Sequence, residues 1–192
     1  MAIKKRRTVR KTQFDKMQEK CKIIKIVLTD VDGVLTDGGR YYSDKGEVLK
    51  KFHVRDGMGV NLLLRHGIKT IIITKENSKI TKKWAKEMNV TKTISGALKK
   101  EQQLSKICKK FNVEKEEIAF IGDDINDLEL LKNVGFSVTP NDASEFIKKN
   151  VDYISTKKGG DGVFREIADM ILIKKFPNQR NWYLDKFIKS SN

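Results

Sequence analysis

The strongest constraint on the fold is an alternation. From residue 23 onward, short apolar, β-rich runs take turns with segments of helical periodicity, the pattern of a parallel sheet whose two faces are both covered by helices. The runs lie at 23–29, 68–74, 118–121, 135–138 and 151–155, and the segments between them predict helices over 57–66, 77–89, 99–111, 125–133, 142–149 and 162–174. Helix ends are marked in places: His66-Gly67 reads as a C-terminus, and Asn77 or Ser78 as an N-cap. The expected architecture is α/β, a doubly wound parallel sheet.

One segment departs from the alternation. Residues 40–43, a turn at Asp44-Lys45-Gly46 and residues 47–54 read as a β-hairpin inserted between the first strand and the first helix. The two prolines, Pro140 and Pro177, make no linker, and there is no internal repeat. A single domain over 23–175 is expected, with the hairpin at 38–52, a basic N-terminal extension at 1–22 and a C-terminal tail at 176–192. Hydrophobic residues make up 39% and charged residues 34% of the chain, so a packed core is expected.

The formal net charge of +15 is unevenly spread, with residues 1–25 contributing +8. Such a leader reads as a solvated extension, or as a segment drawn to nucleic acid or another acidic surface. No binding motif accompanies it, so nucleic acid is not an expected partner. Neither a membrane span nor the apolar stretch of a secretory signal is present, which leads to an expected cytoplasmic location, although an Arg/Lys-rich leader also faintly resembles an organelle transit peptide. Cys21 and Cys108 are far apart and read as two reduced thiols.

Open α/β sheets bind ligands at the carboxyl ends of their strands. The first strand ends in Asp30-Val31-Asp32-Gly33, and the run at 118–121 is followed by Gly122-Asp123-Asp124, then Asn126 and Asp127. Asp-Gly is ordinary turn chemistry, which accounts for Asp32-Gly33 but not for Asp30 directly after an apolar strand. Asp30, Asp32, Asp123 and Asp124 would crowd one rim, where like charges repel unless a cation neutralises them. A hard, oxygen-preferring ion such as Mg2+ suits that set. Thr74 ends the second strand of the sheet and Lys100 opens a helix, so a hydroxyl, an ammonium and a helix N-terminus would face the carboxylates and cradle a phosphate.

With these residues in place, the sequence resembles the haloacid dehalogenase superfamily of phosphohydrolases, whose motifs match 30–36, Thr74, Lys100 and 122–127. Segments 52–59 and 159–166 narrow the resemblance to the branch of 3-deoxy-D-manno-octulosonate (KDO) 8-phosphate phosphatases and their nonulosonate 9-phosphate relatives. The resemblance implies a Rossmann-like sheet and an aspartyl-phosphate mechanism. Asp30 would be the nucleophile and Asp32 the acid and base. Asp30, Asp123 and the Asp32 carbonyl would hold Mg2+, and Thr74 and Lys100 the phosphoryl oxygens. Asp124 would support this shell and Asp127 orient Lys100.

The stretches from Asp37 to Thr74 and from Thr74 to Lys100 leave no room for the cap domain of many relatives. The branch instead joins the hairpins of four subunits, so a homotetramer centred on 38–52 is expected. The implied substrate is a small anionic sugar phosphate, with Arg55 and the backbone at Gly57 as contacts to its acid group. Glu76 and Trp84 stand where octulosonate relatives have Arg. Glu76 reads equally as a sugar contact, as in relatives acting on nine-carbon sugars, and as a first-turn residue favoured by the helix dipole. A non-catalytic tetramerising domain is the other class of reading, and such versions lack the nucleophile that Asp30 supplies here.

Overall fold

The computed structural model describes residue 17 and residues 19–177. After β1 (Ile26–Thr29) come a hairpin of β2 (Tyr41–Ser43) and β3 (Gly46–Leu49), then α1 (Val54–Arg65), β4 (Lys69–Ile73), α2 (Lys79–Glu87) and β5 (Lys92–Ile94). The second half runs α3 (Leu104–Phe111), β6 (Ile118–Ile121), α4 (Leu128–Asn133), β7 (Phe136–Thr139), α5 (Glu145–Lys148), β8 (Tyr153–Ile154) and α6 (Val163–Lys175). Six strands form one sheet in the order β5-β4-β1-β6-β7-β8, and every neighbouring pair is parallel. The chain winds outward from β1 through β4 to β5, then restarts beside β1 with β6 and winds the other way. The topological switch point therefore lies between β1 and β6, where such sheets bind their ligands.

Side chains alternate across the sheet and feed two cores. Val27, Ile72, Ala119, Ile121 and Val138 face one core with Val60 and Leu63 of α1 and Phe164, Ile167 and Leu172 of α6. Ile26, Leu28, Ile71, Ile73, Ile118 and Phe120 face the other with Leu104 and Ile107 of α3 and Leu130 and Leu131 of α4. Burial on both faces explains why the central strands β1 and β6 are almost entirely apolar.

The structure refines several boundaries. Residues 19–23 are helical and the first strand starts only at Ile26, although residue 23 was expected to begin it. Met17, Cys21 and Ile24 are buried in the first core and Lys20 pairs with Asp152 at 2.5 Å, so the packed unit reaches back before residue 23. The short edge strand β5, Lys-Thr-Ile and only partly buried, has no apolar run to announce it. The helices expected from 99 and 125 open as 3-10 turns, Lys100–Gln103 and Ile125–Asp127. Residues 1–16 and the expected aromatic tail beyond Pro177 lie outside the described residues. None of the described helices is long and apolar enough to cross a membrane.

The hairpin forms its own two-stranded sheet, and an isolated bridge between Thr36 and Phe52 closes its base. Phe52 stacks on Trp84 of α2 with ring centroids 4.7 Å apart, which gives Trp84 a packing role. Helices α1 and α6 are joined by a charge that composition does not reveal. The N-cap of α6 is Gly162, which has no side chain to offer, and Asp56 of α1 takes that part by accepting the Arg165 N–H at 2.8 Å. Asp56 is fully buried, its other oxygen has no hydrogen-bond partner, and burial pushes its carboxyl up to about 7. Replacing Asp56 by Ala strips the cap from α6, and chemical denaturation is expected to show a loss of about 1–3 kcal/mol.

Candidate active site

The nucleophile candidate is held by the sheet itself. Asp30 is the residue after β1, its N–H donates to the Ile121 carbonyl of β6 at 2.9 Å, and Asp30 Oδ1 accepts the Val31 N–H at 2.7 Å. Behind it sits Lys100, fully buried, with Nζ 2.6 Å from Asp30 Oδ2 and 2.6 Å from Asp127 Oδ1. The second oxygen of Asp127 accepts the Asp123 N–H at 3.1 Å. Lys100 is raised above its usual value: burial works against the charge, but Asp30 and Asp127 together outweigh it.

Asp123 follows β6 and Gly122. A Cβ on Gly122 would lie 2.7 Å from the Asp127 side chain, so only glycine lets Asp127 fold back beneath the strand end. Gly33 has φ of +85°, and a Cβ there would lie 2.0 Å from Asp123 Oδ2. Glycine thus brings the loop after β1 against the carboxylate after β6. Thr74, buried after β4, has its N–H bonded to the Ile94 carbonyl at 2.9 Å and its Oγ1 accepting the Glu76 N–H at 3.2 Å. Asp124 caps the following 3-10 turn by accepting the Ile125 N–H at 2.8 Å.

Asp32 is gripped from the hairpin side. Lys50 Nζ lies 2.6 Å from Asp32 Oδ1, and Arg40 Nη2 lies 3.1 Å from Asp32 Oδ2. The Lys50 side chain is completely buried and also meets Glu47 at 3.2 Å, and Glu47 accepts the Ser78 hydroxyl at 2.6 Å. Arg40 Nη2 reaches Glu76 at 3.3 Å. Neither cation was anticipated, because a lysine and an arginine on a hairpin look like any other members of so basic a chain.

Asp30, Asp32, Thr74, Glu76, Asp123 and Asp124 line one cleft of about 390 Å3, together with Arg40. Lys100 and Asp127 form its floor through their contacts with Asp30. Arg55 and Gly57, expected at the sugar acid, are placed elsewhere. Arg55 lines a separate groove beside Gly162 and Arg165. Gly57 is buried within α1, its carbonyl accepts Asn61 Nδ2 at 2.9 Å, and a Cβ on it would lie 2.2 Å from Met88 Sδ. Glycine there makes room for helix packing.

Asp30, Asp123 and Asp127 each offer an oxygen within 4.8 Å of the others. Asp127 is fully buried beneath Lys100, whereas Asp30 and Asp123 line the cleft, which makes those two the pair for a cation. Burial, then the charges of Asp30 and Asp127, pushes Asp123 up to about 8; burial and Asp127 raise Asp30 against the pull of Lys100. Two carboxyls strained in this way, both oxygen donors, fit a hard divalent ion.

The profile of the haloacid dehalogenase-like hydrolases matches residues 64–167. A 3-deoxy-D-manno-octulosonate 8-phosphate phosphatase of Haemophilus influenzae is 40% identical over 156 residues, 81% of this chain and 87% of that protein. The chain belongs to the haloacid dehalogenase-like hydrolase family. An Escherichia coli K12 protein of the same name is 34% identical over 154 residues, 80% of this chain and 82% of its own length. Among solved members of the family, the cobalt-bound Haemophilus influenzae phosphatase superposes with a TM-score of 0.82 at 35% identity, covering 90% of this chain and 99% of that one. A Moraxella catarrhalis phosphatase, in complex with a magnesium ion, a phosphate ion and a KDO molecule, has a TM-score of 0.82 at 35% identity, covering 93% and 99%. In this family member the two strands flanking the switch point carry the paired carboxylates.

A cation must compete with protons for Asp30 and Asp123, so apparent affinity for a divalent cation is expected to strengthen as pH rises from about 6 to above 8, followed by isothermal titration calorimetry. The apo protein should change in the opposite sense. Raised folded values mean that the folded chain keeps protons the unfolded chain has released, so metal-free stability falls as pH rises from about 4 toward 8.

Proposed function

We propose that this protein is a Mg2+-dependent phosphatase that hydrolyses a 2-keto-3-deoxy sugar acid phosphate of the octulosonate 8-phosphate type. The observation that carries the reading is the buried Asp30–Lys100–Asp127 arrangement at the end of β1, with both contacts of Lys100 at 2.6 Å. The octulosonate phosphatases similar over most of the chain supply the substrate class. The Asp30 carboxylate attacks phosphorus in line with the sugar oxygen, the P–O bond to the sugar breaks, and Asp32 gives the leaving oxygen its proton. Water then attacks the phosphorus of the aspartyl-phosphate, Asp32 takes a proton from it, and inorganic phosphate leaves with Asp30 regenerated.

Lys100 and the Thr74 hydroxyl hold phosphoryl oxygens during both displacements, Asp127 keeps Lys100 aimed, and Asp124 orders the turn beside Asp123. Mg2+ held by Asp30, Asp123 and the Asp32 carbonyl would offset charge on the transferring phosphoryl group.

Glu76 lines the cleft, which favours a second substrate reading, a nonulosonate 9-phosphate whose hydroxyls a carboxylate would accept. The exposed Tyr41, Tyr42, Val48 and Leu49 of the hairpin support a homotetramer joined through 38–52. A cytoplasmic setting completes the proposal.

Three measurements test it. With Mg2+, kcat/KM for octulosonate 8-phosphate is expected to exceed that for nonulosonate 9-phosphates; the reverse order favours the second reading, and uniformly poor rates exclude both. Asp30→Asn should abolish turnover with the fold intact by circular dichroism, whereas Asp32→Asn should lower kcat by about 10²–10⁴-fold. Light scattering should return four times the chain mass, and a monomer would overturn the assembly.

A further inference from the structure

Both oxygens of Asp32 are occupied in the substrate-free cleft, Oδ1 by Lys50 at 2.6 Å and Oδ2 by Arg40 at 3.1 Å. A carboxyl group that passes a proton to a leaving oxygen must aim one of its oxygens at the substrate, and an oxygen released by its cation is freer to turn there. The two cations are not equally able to let go. Lys50 is sealed, its side chain fully buried and its charge shared with Glu47. Arg40 has a side chain 30% exposed, and it touches Asp32 and Glu76 through the same nitrogen, Nη2. The Tyr42 side chain is its other hydrogen-bonding partner. A guanidinium offers five N–H donors in a planar fork, so these contacts leave donors for a further anion.

The charge of the cleft points the same way. Its lining holds Asp30, Asp32, Glu76, Asp123 and Asp124 against Arg40 and Lys75. Of the buried ammonium groups, Lys50 is shared between Asp32 and Glu47, and Lys100, beside Asp30 and Asp127, is the one that meets the phosphate. A substrate that carries a carboxylate as well as its phosphate therefore enters a cleft with few cations to receive the second charge, and Arg40 is the one placed between the acid and base Asp32 and the pocket residue Glu76.

We propose that Arg40 is a specificity-determining latch: in the empty cleft it holds Asp32, and the carboxylate of an acidic substrate draws its guanidinium away, turning Asp32 Oδ2 free for proton transfer. Glu76 is the second anchor that keeps the guanidinium at the cleft when it leaves Asp32. A neutral sugar phosphate has nothing to draw the latch and meets an occupied Asp32. The inference rests on the reading of this site as one for an acidic sugar phosphate.

The test compares kcat/KM for octulosonate 8-phosphate with that for mannose 6-phosphate, which has a phosphate on a primary carbon and a sugar ring but no carboxylate, in the Mg2+-loaded full chain. The wild type is expected to prefer the acidic substrate. Arg40→Met should shrink that ratio by roughly 10–100-fold, the worth of one charged hydrogen bond, and Arg40→Lys should restore part of it. Equal losses on both substrates would make Arg40 a plain support for Asp32 and overturn the latch, and so would a ratio unchanged from wild type. A wild type with no preference for the acidic substrate would sink the acidic-sugar reading itself, and the latch with it.

Discussion

The structure depends on how one positive charge is shared. Lys100 is buried to completion, a placement that costs several kcal/mol for an isolated ion, and it persists because Asp30 and Asp127 meet it from two sides. The arrangement ties together three loops that are distant in sequence: the end of β1, the opening turn before α3 and the turn after β6. Asp127 also holds the Asp123 backbone, so the metal-ligand candidate and the nucleophile candidate are set by a single contact chain. Removing Lys100 would leave two buried carboxylates without their cation, whereas removing one carboxylate still leaves Lys100 paired with the other.

Much of this is legible in the sequence, and for a physical reason. A carboxylate within two residues of a buried apolar run is costly without a purpose, and Asp30 and Asp123 both stand there at strand ends. The doubly wound sheet was legible because strands buried on both faces must be apolar throughout. What escaped reading were features whose meaning is tertiary. Strand β5 pairs only along one edge and is partly buried, so its Lys-Thr-Ile sequence carries no periodic signal. Asp56 looks like a first-turn acid of α1, and only the packing of α1 on α6 turns it into the cap of a different helix. Lys50 and Arg40 are two of many cations until the hairpin folds back on Asp32. Arg55 and Gly57 were placed at the sugar by resemblance, and the geometry puts one in a separate groove and the other inside a helix contact.

The cleft thus has two sources. Its floor, made of Asp30, Thr74, Lys100, Asp123 and Asp127, is built from strand ends and buried turns. On its outer side stands Arg40 of the hairpin, backed by the buried Lys50 and Glu47, which join the hairpin to Asp32 and to the cap residue Ser78 of α2.

That hairpin shares no ladder with the main sheet; a bridge closes its own base, and an aromatic stack and a handful of polar contacts hold it to the body. Phe52 at its base packs against the first core, whereas the exposed Tyr41, Tyr42, Val48 and Leu49 belong to neither core. Lineages descending from such a chain are therefore free to vary the exposed hairpin positions while the strand ends that carry Asp30 and Asp123 stay as they are, and Arg40 and Lys50, through Asp32, tie the two together.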